Sequence, residues 1–331
     1  MSIPNTVPAV WPEVGQSRLA ASIRTLGAEH ADASGAGVCI VGLPDDTGVS
    51  LNHGRPGARS GPSAFRTALA RIGGPYDLRR RALLDVPLFD AGDVACVQPE
   101  PGELSDPVAA LHETHDRITA ALREIHERGF IPFCIGGGHD LTYPSVRALS
   151  RHLGASVGGI NIDAHLDVRE DPGSGMPYRS LIESECLDPR RFVEFGISRF
   201  ASAKLHVEWL ESRGGRITSS EDLLGTGESQ AAMMHEAFTR AFGEEFQGSG
   251  FVSLDLDAID GASAPGVSAP NPMGIPPAYA AMLAERAGKT ESVRHFDIME
   301  LNPDFDTDGR TARLSAVLFI HFLAGVSERG A

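Results

Sequence analysis

Residues 158–167 read GGINIDAHLD. Gly158–Asp163 predicts a short buried strand, and that strand feeds straight into Asp163, His165 and Asp167. In an extended segment, positions i, i+2 and i+4 share one side, so three ligand-type side chains converge. Burying two aspartates and a histidine together costs several kcal/mol unless a cation or partners compensate. The bland alternative is a solvated loop.

Similar apolar runs recur on both sides of this stretch. They are Val38–Leu43, Pro87–Gly92, Ile131–Gly136, Arg191–Ile197, Phe251–Leu256 and Arg294–Met299. Several are apolar on both faces, as strands covered by helices on both sides should be. Amphipathic stretches fall between them: Pro62–Leu78, Asp106–Arg128, Thr142–Leu153, Ala203–Arg213, Glu228–Phe242, Pro276–Ala287 and Thr311–Leu323. Asp106 and Pro107 suit an N-cap and first turn. The alternation predicts βαβ units, a mostly parallel sheet and a three-layer α/β/α fold. No composition break divides the chain, so residues 1–331 read as one domain, with residues 1–15 an N-terminal arm and 99–105 a surface loop.

In open α/β sheets, ligands gather beyond the carboxyl ends of the strands. Two further strand ends carry the same residue types as the first. Gly136–Asp140 reads GGGHD, where three glycines permit a tight turn that aims His139 off the sheet edge. It has neither the spacing nor the Lys-Ser/Thr of a phosphate loop. Ser253–Asp257 reads SLDLD, so Asp255 and Asp257 alternate with leucines at a strand end. Paired carboxylates repel unless a metal sits between them. A half-exposed strand with solvated aspartates is the alternative there.

Together the three ends supply His139, Asp163, His165, Asp167, Asp255 and Asp257. Carboxylates with a few imidazoles suit Mn²⁺-like ions better than the sulfur-rich sets of structural zinc. Six ligands exceed the needs of one ion that also holds water, so two ions fit better.

Composition narrows the classes. Among 331 residues, 44 acidic against 29 basic give a formal charge of −15. That balance argues against a nucleic-acid or anionic-membrane binder. Cys39, Cys96, Cys134 and Cys186 stand far apart, without C-x-x-C spacing, which suits a reducing compartment. The longest uncharged run, Gly261–Ala284, is broken by five prolines and is no spanning helix. The N-terminus lacks a secretory pattern, so a cytoplasmic location is expected.

These motifs resemble the ureohydrolase (arginase/agmatinase) superfamily. The resemblance runs from VGLPDDTGVSLNHGRPGARSGPSAFR through DAGD, GGGHD, NIDAHLD and SLDLDAID to DIMELNP. It implies a central sheet of about eight strands and two Mn²⁺ ions per subunit. One ion would use His139, Asp163, Asp167 and Asp255; the other would use Asp163, His165, Asp255 and Asp257. It also implies a homo-oligomer, trimeric or hexameric.

Within the superfamily, the segment Ser174–Tyr178 (SGMPY) is similar to formimidoylglutamases. Ser174 stands where arginases and agmatinases carry a histidine implicated in proton shuttling. The stretches GVSAP (Gly266–Pro270), ELNP (Glu300–Pro303) and DGRTAR (Asp308–Arg313) point the same way. The implied reaction is hydrolysis of N-formimidoyl-L-glutamate to L-glutamate and formamide in histidine degradation, through a hydroxide bridging the metals. Glu300 would pair with the amidinium, and Asp167 would move the proton. Arg169 and Arg55 are candidates for substrate carboxylates, with Ser174 beside them; Arg179, Arg310 and Arg313 are further candidates. Two other readings stay open: a ureohydrolase acting on arginine, agmatine or another guanidino acid, and a non-enzymatic binding module; a third, a single-zinc deacetylase of related topology, is disfavoured by the surplus of ligands.

Overall fold

The structure, a computed structural model, describes residues 3–27, 37–97, 106–224, 227–243 and 248–329. The expected loop at 99–105 lies outside the described residues.

Eight strands of four or more residues form the sheet among the described residues. They are β1 (Val38–Leu43), β2 (Leu88–Val94), β3 (Ile131–Gly136), β4 (Val157–Ile162), β5 (Leu187–Ile197), β6 (Arg216–Ser219), β7 (Gly250–Asp255) and β8 (Val293–Met299). Their order is 2-1-3-8-7-4-5-6, with every neighbouring pair parallel. Two-residue strands at Thr6–Val7 and Arg24–Thr25 extend the sheet at β2, the first of them antiparallel. The N-terminal arm is thereby stitched to an edge.

Nine α-helices connect the strands within the described residues. They are α1 (Thr47–Leu51), α2 (Gly61–Leu69), α3 (Pro107–Glu127), α4 (Thr142–Leu153), α5 (Pro177–Glu183), α6 (Lys204–Glu211), α7 (Gly227–Phe242), α8 (Pro277–Lys289) and α9 (Arg310–Val326). Helices α2, α7, α8 and α9 bury their apolar faces against Ile40, Phe133, Ile160, Val252 and Phe296 on one face of the sheet. The other face carries α3 and α4 over Cys39, Val41 and Cys134. Helices α5 and α6 extend that layer over Phe192 and Phe251. Strand positions alternate between the two layers, which is why these strands read as near-continuous apolar runs.

Sequence and structure agree closely on the long elements. Asp106 caps α3, accepting from Val108 N at 2.9 Å. Differences follow from local chemistry. The helix expected to reach Leu78 ends at Leu69, ahead of Gly73, Gly74 and Pro75, and Tyr76–Asp77 pairs with Ala82–Leu83 instead. Strand β6 has four residues and too short a pattern to stand out in the sequence. Helices α1 and α5 are similarly short. No helix among the described residues is long and apolar enough to cross a membrane.

Candidate metal centre

The carboxyl ends of β3, β8, β7 and β4 lie side by side at the middle of the sheet. All six residues of the expected metal set stand there. Strand β3 delivers His139 through the glycine turn. A Cβ at Gly137 would collide with the carbonyl oxygen of Asp45, so only glycine lets the chain pass. His139 is buried, and its Nδ1 lies 3.1 Å from Asp163 Oδ2, 3.0 Å from Asp167 Oδ2 and 3.2 Å from Asp255 Oδ2. His165 Nδ1 lies 3.5 Å from Asp163 Oδ1 and 3.2 Å from Asp257 Oδ2. Asp163 therefore belongs to both clusters.

Tight turns, not extended alternation, bring these side chains together. Asp163 Oδ1 accepts from His165 N at 2.7 Å, and Asp255 Oδ1 accepts from Asp257 N at 2.7 Å. Both strands thus end in the same Asx turn. That turn folds residue i+2 back beside residue i. Asp167 at φ 46° and Glu300 at φ 65° occupy the left-handed region, which is costly for residues with a side chain. Both face the cluster from strained backbone.

The electrostatics call for cations. Asp257, with burial opposing and Asp163 assisting, pushes the His165 imidazole up to about 12. Burial, then the charges of Asp255 and Asp163, hold the Asp257 carboxyl well above its usual range. Burial, then Asp255 and Asp257, do the same to Glu300. His139 Nδ1, Asp257 Oδ1 and Glu300 Oε2 are buried without a hydrogen-bond partner. The carboxylates hold both imidazoles protonated, so ring protons stand where the donor set would place a cation. Two imidazoles and four carboxylates, with no thiolate, fit hard divalent ions of the Mn²⁺ type.

Supporting contacts orient the donors. His139 Nε2 meets Tyr178 Oη at 3.0 Å and Ser253 Oγ at 3.1 Å. Asn161 donates to Asp163 Oδ2 at 3.2 Å and to Glu194 Oε2 at 2.8 Å. Glu300 Oε1 accepts from His139 N at 3.1 Å. Tyr178 and Ser253 stand within the motifs, but sequence reasoning assigns them no role. Ser253 has one signal, since it shares a strand face with Asp255.

A cavity of about 740 Å³ opens over the cluster, with His139, His165, Asp167, Asp255, Asp257 and Glu300 in its lining. Arg169 and Ser174 stand on its wall. Arg169 is exposed, and its Nη1 donates to Asn52 Oδ1 at 2.7 Å. Arg55 also lines the cavity, but it donates to the carbonyls of Ser268 and Val267 at 2.8 and 2.6 Å. Arg179 turns away to the Val168 carbonyl and Glu170. Arg310 and Arg313 donate to the carbonyls of Ala262 and Asp308, away from the cavity lining. Asp140 points to His115 at 2.8 Å, so it supports α3 and not His139.

A parallel α/β sheet whose central strand ends converge on two histidine–carboxylate clusters defines a class, and comparison with known proteins agrees. The chain belongs to the arginase family, whose model matches residues 36–325. Within that family it is similar to formimidoylglutamases. That of Ralstonia nicotianae is 31% identical, covering 98% of this chain and 97% of the relative. That of Hahella chejuensis is 35% identical, covering 86% and 84%. The crystal structure of Trypanosoma cruzi formiminoglutamase with Mn²⁺ superposes with a TM-score of 0.81 at 32% identity, covering 94% of this chain and 99% of that one.

Proposed function

We propose that this chain is a metal-dependent hydrolase of linear amidines that converts N-formimidoyl-L-glutamate to L-glutamate and formamide. The observation that carries the reading is the sharing of Asp163 between the His139 and His165 clusters on the floor of one cavity. Its support is the similarity to formimidoylglutamases over nearly the whole chain. His139, Asp163, Asp167 and Asp255 would hold one Mn²⁺; Asp163, His165 and Asp257, with Asp255 contributing, would hold the other. Two such ions would lower the pKa of bound water and so would supply a nucleophile near neutral pH.

The protein's own groups supply the rest. Glu300 carries a buried, unpartnered Oε2 that can accept the N–H of an amidinium, a charge-assisted contact that orients the electrophilic carbon. Asp167 keeps a partly exposed carboxylate facing the cavity, placed to take a proton and return it to the leaving amine. Arg169, held by Asn52, offers a planar fork for a carboxylate. Arg55 has its donors committed to carbonyls and would shape the wall beside Ser174.

A substrate panel on purified, Mn²⁺-loaded protein tests the reading. Formamide released from formimidoylglutamate supports it. Urea released from arginine, agmatine or another guanidino acid would replace it with the sister activity.

A further inference from the structure

Behind His139 runs a hydrogen-bonded chain that the hydrolytic scheme does not use. Ser253 Oγ, 3.1 Å from His139 Nε2, donates to Asp297 Oδ1. Asp297 Oδ2 lies 3.1 Å from His295 Nε2 and accepts from Thr142 Oγ1 at 3.3 Å. Thr142 Oγ1 is also 3.2 Å from Ser253 Oγ. Ser253, Asp297, His295 and Thr142 are all fully buried, on β7, β8 and the start of α4. Asp297 and Ser253 are register partners across neighbouring strands, so the contact is fixed by the sheet.

Counting protons gives this chain a direction. A serine hydroxyl has one proton, and Ser253 spends it on the Asp297 carboxylate. Toward His139, Ser253 can then only accept. A proton on His139 Nε2 is therefore held there by Ser253, so a metal at Nδ1 need displace only the other ring proton, which Asp163, Asp167 and Asp255 draw to Nδ1 when no ion is bound.

We infer that Asp297, acting through Ser253, is a positioning residue that fixes the His139 tautomer competent to bind metal. It touches neither the cavity nor the carboxylate cluster. The inference rests on His139 being a metal ligand. A ligand histidine whose far nitrogen is anchored by a carboxylate is a general way of setting tautomer and ring orientation. Here a serine is interposed, and the carboxylate sets its polarity.

Asp297→Asn tests the idea because it reverses the chain without changing its size. His295 Nε2–H and the Thr142 hydroxyl keep the amide oxygen on their side. The new NH₂ group then donates to Ser253, whose hydroxyl proton turns toward His139 Nε2, displaces the proton there and leaves the ring protonated at Nδ1 alone. Mn²⁺ affinity is read by electron paramagnetic resonance of the free ion in wild type, D297N, S253A and the double variant. The His139 tautomer is read by ¹⁵N NMR of histidine-labelled protein.

D297N is expected to bind Mn²⁺ about 10–100-fold more weakly and to carry its ring proton on Nδ1 alone, where wild type keeps one on Nε2. The double variant is expected to return to the affinity of S253A alone, because the reversed donor is gone. A merely structural role predicts no such recovery. Wild-type affinity and an Nε2–H ring in D297N would overturn the inference, as would weak binding with an unchanged tautomer and no recovery. If wild type itself bound no Mn²⁺, the metal reading would fall, while the tautomer measurement would still decide the role of Asp297.

Discussion

Asp163 gives one carboxylate oxygen to each half of the site: Oδ2 lies 3.1 Å from His139 Nδ1, and Oδ1 lies 3.5 Å from His165 Nδ1. A residue shared in this way cannot be lost from one half alone. Asp163→Ala is expected to abolish binding of both ions, a larger loss than the roughly 10–100-fold that an outer hydrogen-bond partner costs. His165→Ala removes a donor from one half only. Elemental analysis after gel filtration should find no tightly held Mn²⁺ in the first variant and about one ion in the second. Equal retention in both would refute the shared role.

Asp167 separates proton transfer from metal binding. Its Oδ2 faces His139 Nδ1 at 3.0 Å, yet its side chain is the most exposed of the four carboxylates, at 14%. Asp167→Asn keeps a ligand oxygen and loses the basic one. Turnover is expected to fall by about 10²–10⁴, the usual worth of a positioned acid–base group, with most of the Mn²⁺ retained. Undiminished kcat would remove Asp167 from the reaction.

Legibility in the sequence depends on range. Long apolar runs such as Ile131–Gly136 give their strand bounds directly, because burial on both faces suppresses polar residues. The ligand motifs are legible because each follows such a run. Their convergence has a different cause from the one the spacing suggests. Extended alternation is not what operates, since His165 and Asp257 are brought in by Asx turns as the strands end. Asp297 is invisible in the sequence, because an aspartate inside RHFDIM gains meaning only from its cross-strand partner Ser253. The arginines are ambiguous for the same reason. Arg55 and Arg169 both belong to loops, and only the fold shows that one is tied to carbonyls and the other faces the cavity.

Arg169 yields a specificity prediction. Its guanidinium is exposed on the cavity wall, and a neutral acceptor, Asn52, holds it there at 2.7 Å. A substrate carboxylate would make charge-assisted contacts worth about 1.5–3 kcal/mol. Arg169→Ala should therefore raise KM for formimidoylglutamate by about 10–100-fold, with kcat changed much less. An amidine without carboxylates should be hydrolysed equally by both proteins. An unchanged KM for formimidoylglutamate would exclude the clamp.

Away from the site, His126 at the end of α3 makes stability depend on pH. It is 3% exposed, its Nε2 has no partner, and the His152 and His295 rings lie 5.8 and 6.2 Å away. Burial, then the charges of His295, His152 and Arg294, lower its pKa well below the ordinary histidine value. The folded chain thus refuses a proton that the unfolded chain accepts below about pH 6.5. Unfolded protein binds more protons in that window, so stability falls as pH drops, by about 1.4 kcal/mol per unit once below 6.5. His126→Leu removes this penalty. Urea unfolding at about pH 7.5 and 5.5 in matched buffers should show wild type losing about 1.4 kcal/mol more than the variant over that interval. Parallel losses in the two proteins would mean that His126 takes up its proton in the folded state.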